Sequence, residues 1–165
     1  MPNHVSHKLI FDASKADRVF SECCPNGNFD FNTLVPQPLQ MYVGDLSAED
    51  DQDFKCNWMT WRRENWGTKW NAYRCACMKV EDGKAIIIFD TAWSVPYPVI
   101  VAFANKFKVP FEHRYFDEGG NFWGIEEWAI KDKCLSRIKK RKSNKDDYKL
   151  LCIELKGYDP DEEEA

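Results

Sequence analysis

Glu81-Asp82-Gly83-Lys84-Ala85-Ile86-Ile87-Ile88-Phe89-Asp90-Thr91 is the stretch on which the fold turns. Glu81–Lys84 reads as a tight hairpin turn, with Gly83 supplying a positive φ. Ala85–Thr91 is apolar at consecutive positions, the pattern of a strand buried on both faces. Asn71–Val80, just before the turn, becomes its hairpin partner. Downstream, Ser94–Pro98 punctuates, and Pro98 suits the first turn of a helix, where its missing N–H is not needed. Val99, Ile100, Phe103 and Phe107 then fall on one helical face, and Pro110 ends that helix. Phe111–Phe116 and Asn121–Ile130 are a second strand pair around the turn Asp117-Glu118-Gly119-Gly120.

Upstream, Val5–Phe11 reads as a first strand. Ser14 is placed to cap a helix, with Asp17 three residues on and Val19, Phe20, Cys23 and Cys24 as its apolar stripe. Pro25-Asn26-Gly27-Asn28 breaks that helix. Phe29–Pro36 reads as extended, on an edge or in a loop, because Pro36 and Pro38 cannot donate to a ladder. The acidic Gly44–Asp53 runs into a short helix around Asp51–Glu64. The order is strand, helix, insertion, strand hairpin, helix, strand pair. It predicts an α+β fold: a ferredoxin-like βαββαβ sandwich with an extra strand and an aromatic-rich insertion at about residues 39–70. Helices are expected on one face of the sheet.

Beyond residue 130 the composition changes. Residues 131–158 are expected to form a basic segment, read as a solvated helix or linker, ending in a short strand, Leu150–Leu155. Residues 159–165 read as a disordered acidic tail.

The chain has 165 residues, 44% hydrophobic and 15% aromatic, with a net charge of -4. That length suits one domain with a tail, and the acidic balance argues against wholesale electrostatic binding to nucleic acid. No run approaches the ~20 apolar residues of a membrane span. Nothing at Met1–Phe11 resembles a secretion signal, so seven Cys read as reduced thiols and the expected setting is the cytoplasm of a host cell.

Several blocks come in a fixed order: Asn65-Trp66-Gly67-Thr68-Lys69-Trp70-Asn71-Ala72, Phe89-Asp90-Thr91-Ala92-Trp93-Ser94-x-Pro96, Tyr115-x-x-x-Gly119 and Phe122-x-Gly124. With Met1-Pro2-Asn3 and Phe31-Asn32-x-Leu34-Val35-Pro36-x-Pro38, they resemble the YubB-type ferredoxin-like family of phage and plasmid proteins. The resemblance covers roughly residues 1–130. It implies the same fold and a mobile-element setting, where small accessory proteins often block host defence, including CRISPR systems. It implies no activity that can be carried over to residues.

The first candidate surface is Trp66, Lys69, Trp70, Trp93, Tyr115 and Trp123. As a partner-binding patch these would supply aromatic anchors with a cation beside them. As packing, the same rings would cover an open end of the sheet, and this reading weighs more because large aromatics are mostly core. The second is the basic run containing Arg137, Lys139, Lys140, Arg141 and Lys142. It could contact phosphates, against the reading of a solvated charge run diluted by Asp146 and Asp147. Acidic Gly44–Asp53 and Asp159–Glu164 could imitate nucleic-acid phosphates, against plain solubility.

For metals, Cys75 with Cys77, His4 with His7, and Cys23 with Cys24 lack the Cys-x-x-Cys pairs of a zinc site. No metal or cofactor is expected. No phosphate loop, nucleophile elbow or His-Glu-x-x-His motif is present. Asp90, His113, Asp117 and Glu118 sit near expected strand ends, with His113 the best acid–base candidate. The expected function is therefore a non-catalytic interaction protein that inhibits a host defence complex, protein or ribonucleoprotein, by direct binding. The alternative is a nucleic-acid-binding accessory protein using the basic segment.

Overall fold

A computed structural model describes residues 3–47, 49, 56–131, 134–140 and 144–162. Its strands are β1 (His4–Asp12), β2 (Tyr73–Val80), β3 (Lys84–Ala92), β4 (Phe111–Asp117), β5 (Trp123–Lys131) and β6 (Cys134–Lys140). Its α-helices are α1 (Ala16–Cys23), α2 (Trp58–Asn65), α3 (Tyr97–Phe107) and α4 (Lys145–Lys156). The strands form one antiparallel sheet in the order β2-β3-β1-β4-β5-β6. The part β2-β3-β1-β4 is the ferredoxin-like sheet, with β3 inserted between β1 and β2. β5 and β6 extend it beyond β4.

Alternation divides the residues between two faces. Leu9 and Phe11 of β1, and Ala85, Ile87 and Phe89 of β3, point to the face covered by α1 and α3. Val99, Ile100, Phe103, Ala104 and Phe107 of α3 meet them, all nearly or fully buried. Phe29 lies 4.9 Å from Phe89 between ring centres, and Phe31 lies 5.7 Å from Trp66, both edge-on or tilted. Edge-on packing sets positive ring edges against negative faces, which helps a core dominated by aromatics. β3 is buried on both faces, as its unbroken apolar run predicted.

The structure corrects several local expectations. Ser14 does not cap α1: a 3-10 turn, Ala13–Lys15, comes first, and Asp12 accepts from the Ser14 N–H at 2.8 Å. Phe29–Pro36 is not extended. It contains a 3-10 turn, Phe31–Thr33, and buries Phe29 and Phe31, so two aromatics outweigh the prolines. Of the helix expected at Asp51–Glu64 only α2 is described; residues 48 and 50–55, which include part of the acidic segment, lie outside the described residues.

The largest corrections fall at the C-terminal end. The basic run is not a solvated helix or linker: residues 134–140 pair with β5 as β6. Leu150–Leu155 is not a strand but part of α4, capped by Asn144, whose side chain accepts from the Asp147 N–H at 2.7 Å. Nor are the helices confined to one face. α4 lies on the other side of the sheet, where Leu151 and Cys152 meet Phe116 and Ile125. Glu154 of α4 accepts from Lys8 at 2.7 Å and Arg114 at 2.6 Å, tying the helix to β1 and β4. No helix among the described residues is long and apolar enough to cross a membrane.

Candidate functional site

Two places collect the residues that chemistry or recognition would use. The first is the turn after β3. Trp93 is 46% exposed and holds φ at 64°, a region costly for a side chain with a bulky Cβ substituent. Its neighbours over-determine that conformation. The Trp93 N–H donates to the Asn3 carbonyl at 2.8 Å, and Thr68 Oγ1 to the Ala92 carbonyl at 2.9 Å. Ser94 Oγ donates to the Gly67 carbonyl at 2.5 Å. Gly67 itself has φ 76°, and a Cβ there would lie 3.0 Å from the Pro98 ring, so the turn after Trp66 does require glycine.

This frame holds Trp93 5.8 Å from Trp70, ring centre to ring centre. The Lys69 ammonium sits 5.5 Å from each ring. The three side chains form a half-exposed aromatic notch with a cation over it, a geometry that favours both stacking and cation–π contact. The other members of the predicted patch lie elsewhere. Trp66 is fully buried, with its indole N–H donating to the Val35 carbonyl at 2.8 Å. Tyr115 is buried over Gly124, where a Cβ would come within 2.5 Å of the Tyr115 hydroxyl. Trp123 packs against Tyr148 of α4 at 4.8 Å. The structure thus brings together Lys69, Trp70 and Trp93, and puts Trp66 and Tyr115 in the interior.

The second place is a row of buried polar side chains beneath α3. It runs from β3 across β1 and β4 to β5. Thr91 Oγ1 donates to the Ser94 carbonyl at 2.7 Å and lies 2.8 Å from His7 Nε2. His7 Nδ1 is 3.1 Å from His113 Nε2. His113 Nδ1 is 3.8 Å from Glu126 Oε2, and neither atom has a hydrogen-bond partner among the described residues. The Tyr97 hydroxyl donates to Glu126 Oε1 at 2.7 Å. His7, Thr91, His113 and Glu126 are all fully buried.

His113 therefore does not sit at a strand end. It is mid-strand, opposite Leu9 of β1 and Glu126 of β5. Asp90 accepts from Ser6 on the far face, while Asp117 and Glu118 bond Asn3, Asn121 and the His4 N–H near the β4–β5 turn. Asp90, Asp117 and Glu118 therefore do not converge on His113. Sequence reasoning places His7 only in a candidate metal pair with His4 and misses Glu126. His7 and Glu126 both occupy positions that alternation turns toward the helices, so a polar residue there was the available signal.

Burial lowers the pKa of both imidazoles; Glu126 offsets part of that at His113, while His113 and Lys156 add to it at His7. Burial pushes the Glu126 carboxyl up, but His113, the Tyr97 hydroxyl and the Arg137 charge hold it down at about 2.

Of the predicted nucleic-acid contacts, Arg137 lies 3.0 Å and Lys140 3.7 Å from Glu126, and Lys139 lies 3.3 Å from Glu127. Each lies beside a carboxylate on β5, Arg137 and Lys140 sharing the one on Glu126. Arg141 and Lys142 lie outside the described residues. Cys75 and Cys77 share the face that packs on the core, near Cys23 and Cys24, and burial raises the Cys75 thiol to about 11. Among the described residues no group of three or more His, Cys, Asp or Glu is arranged to hold a metal ion.

Residues 65–148, from the end of α2 to the first turn of α4, match a family described as the ferredoxin-like domain in Api92-like protein. Among solved structures, the crystal structure of a protein api92 from Yersinia pseudotuberculosis aligns with a TM-score of 0.50 at 11% identity. The match covers 71% of this chain and 40% of that one, so at this identity it speaks for the fold alone. No curated protein matches. With more than half of its length in the family match and the β2-β3-β1-β4 sheet in place, this chain belongs to the family of ferredoxin-like domains in Api92-like proteins.

Proposed function

We propose that this protein is a non-catalytic binding module that grips a partner through the notch of Lys69, Trp70 and Trp93. The observation that carries the reading is Trp93. A large aromatic is held half-exposed at φ 64° by hydrogen bonds to Asn3 and, on either side of it, Thr68 and Gly67. Packing alone would favour burying that ring and relaxing that backbone; a rigid, presented Trp is what an interface anchor needs. The resemblance to YubB-type phage and plasmid proteins supplies the partner class: a host defence complex, such as a CRISPR effector, inhibited by occupation of its surface.

The test is binding of the purified protein to purified defence effectors, compared with a Trp70→Ala/Trp93→Ala variant of unchanged fold. The wild type is expected to co-elute with one effector at high as well as low salt, because stacking is screened less than surface charge. Each anchor lost should cost about 2 kcal/mol, roughly thirtyfold in affinity. Failure of the wild type to bind any of the host's defence complexes overturns the partner class. Equal binding by the double variant overturns the notch.

A further inference from the structure

We propose that the cleft between α3 and β6 binds a small organic carboxylate on Arg137 and Lys140, and that the His113–Glu126 contact takes up a proton as it does so. Donor and acceptor roles along the buried row fix which ring nitrogens carry protons. The Ser94 carbonyl can only accept, so the Thr91 hydroxyl gives it the proton. His7 Nε2, facing the same hydroxyl oxygen, must then donate, which leaves His7 Nδ1 as an acceptor. His113 Nε2 donates to it. A neutral His113 therefore has a bare Nδ1, and that lone pair faces the Oε2 of a carboxylate. Two acceptors repel, which accounts for the open 3.8 Å gap and for two partnerless buried atoms. In that neutral state the contact lacks one proton and has a place for it.

The other carboxylate oxygen is over-supplied. Glu126 Oε1 receives Tyr97 at 2.7 Å, Arg137 at 3.0 Å and Lys140 at 3.7 Å. One buried negative charge thus answers two cations whose side chains are 41% and 47% exposed. Both border a cleft of about 440 Å³ whose remaining walls are Tyr97, Val101 and Trp128. Two cations beside an aromatic and aliphatic wall suit a carboxylate carried on an apolar ring.

Such an anion draws Arg137 and Lys140 toward itself and away from Glu126. A buried carboxylate losing cations in a dry interior is costly. A solvent proton on His113 Nδ1 restores the balance by turning the empty contact into a charge-assisted hydrogen bond. The groups that face the pair are His7 from β1, Thr91 from β3, Tyr115 from β4, Tyr97 from α3, and Arg137 and Lys140 from β6; Lys156 of α4 acts on His7. Only His113 has a carboxylate against its free nitrogen, so it takes the proton.

The experiment is calorimetric titration of the full chain with benzoate at about pH 5.5 and about pH 7.5, either side of the ordinary imidazole pKa. Wild type should bind saturably, tighter at the lower pH by up to about tenfold per pH unit, with a heat that varies with the buffer's own ionisation as a proton is absorbed. Glu126→Gln should bind equally at both pH values, because its amide N–H fills the bare His113 nitrogen and no charge is left to compensate. Arg137→Ala/Lys140→Ala should not bind. If Glu126→Gln does not fold, the wild-type His113 ring nitrogen shifts, read by NMR, should move toward the protonated form when benzoate is added. Absence of saturable binding at both pH values, or binding unaffected by loss of Arg137 and Lys140, overturns the site. Binding independent of pH with unmoved His113 shifts overturns the proton.

Discussion

At the scale of single residues, this protein keeps its least ordinary choices at Trp93 and at the two buried histidines. If Trp93 is kept for a surface task, its removal should help the fold in one respect. Glycine accepts φ 64° at no steric cost, whereas alanine does not. Trp93→Gly is therefore expected to be about 1 kcal/mol more stable than Trp93→Ala in denaturant unfolding, while both should weaken binding to the proposed partner alike. The histidines predict an acid dependence. Burial depresses the pKa of His7 and His113 in the folded state, so the unfolded chain binds more protons once pH falls below the ordinary imidazole value. Stability from this source is complete above about pH 6.5 and is lost as pH drops toward the folded values. The melting temperature should fall between about pH 7.5 and about pH 5, and a flat profile would show that these rings are not buried neutral. Little of this was legible in the sequence. A lone His113 reads as an exposed strand-end residue until pairing sets Leu9 and Glu126 opposite it.

At the scale of elements, α4 and β6 matter most. The sequence showed the basic run but not its use. Arg137, Lys139 and Lys140 look like a free patch only while Glu126 and Glu127, some ten residues away, are not known to be their neighbours. Leu150–Leu155, part of α4, reads as a strand because the run is short and apolar, and periodicity alone cannot separate the two. Its cap and its seam now give numbers to check. Asn144→Ala removes the side chain that accepts from the Asp147 N–H and should cost about 1 kcal/mol. Leu151→Ala opens a cavity beside Phe116 and Ile125 and should cost about 2–5 kcal/mol. Both are read from urea unfolding. Values near zero for Leu151→Ala would mean that α4 does not pack on the sheet.

At the scale of the whole molecule, the aromatic content serves two ends that composition could not divide. Trp66, fully buried against Phe31 and Trp61, belongs to the core, and Trp66→Ala should cost about 3–5 kcal/mol. Trp70→Ala/Trp93→Ala should leave the melt close to wild type by comparison. The sequence by itself determined the βαββαβ order, because hairpin turns, proline and glycine breaks and apolar periodicity are local signals carried by neighbouring residues. Only the tertiary structure decided which face α4 covers, which tryptophans meet solvent, and that His7, His113 and Glu126 form one buried row. Those are facts of strand register and packing between residues far apart in the chain, 106 positions for His7 and His113 and 146 for Lys8 and Glu154, and no local pattern encodes them.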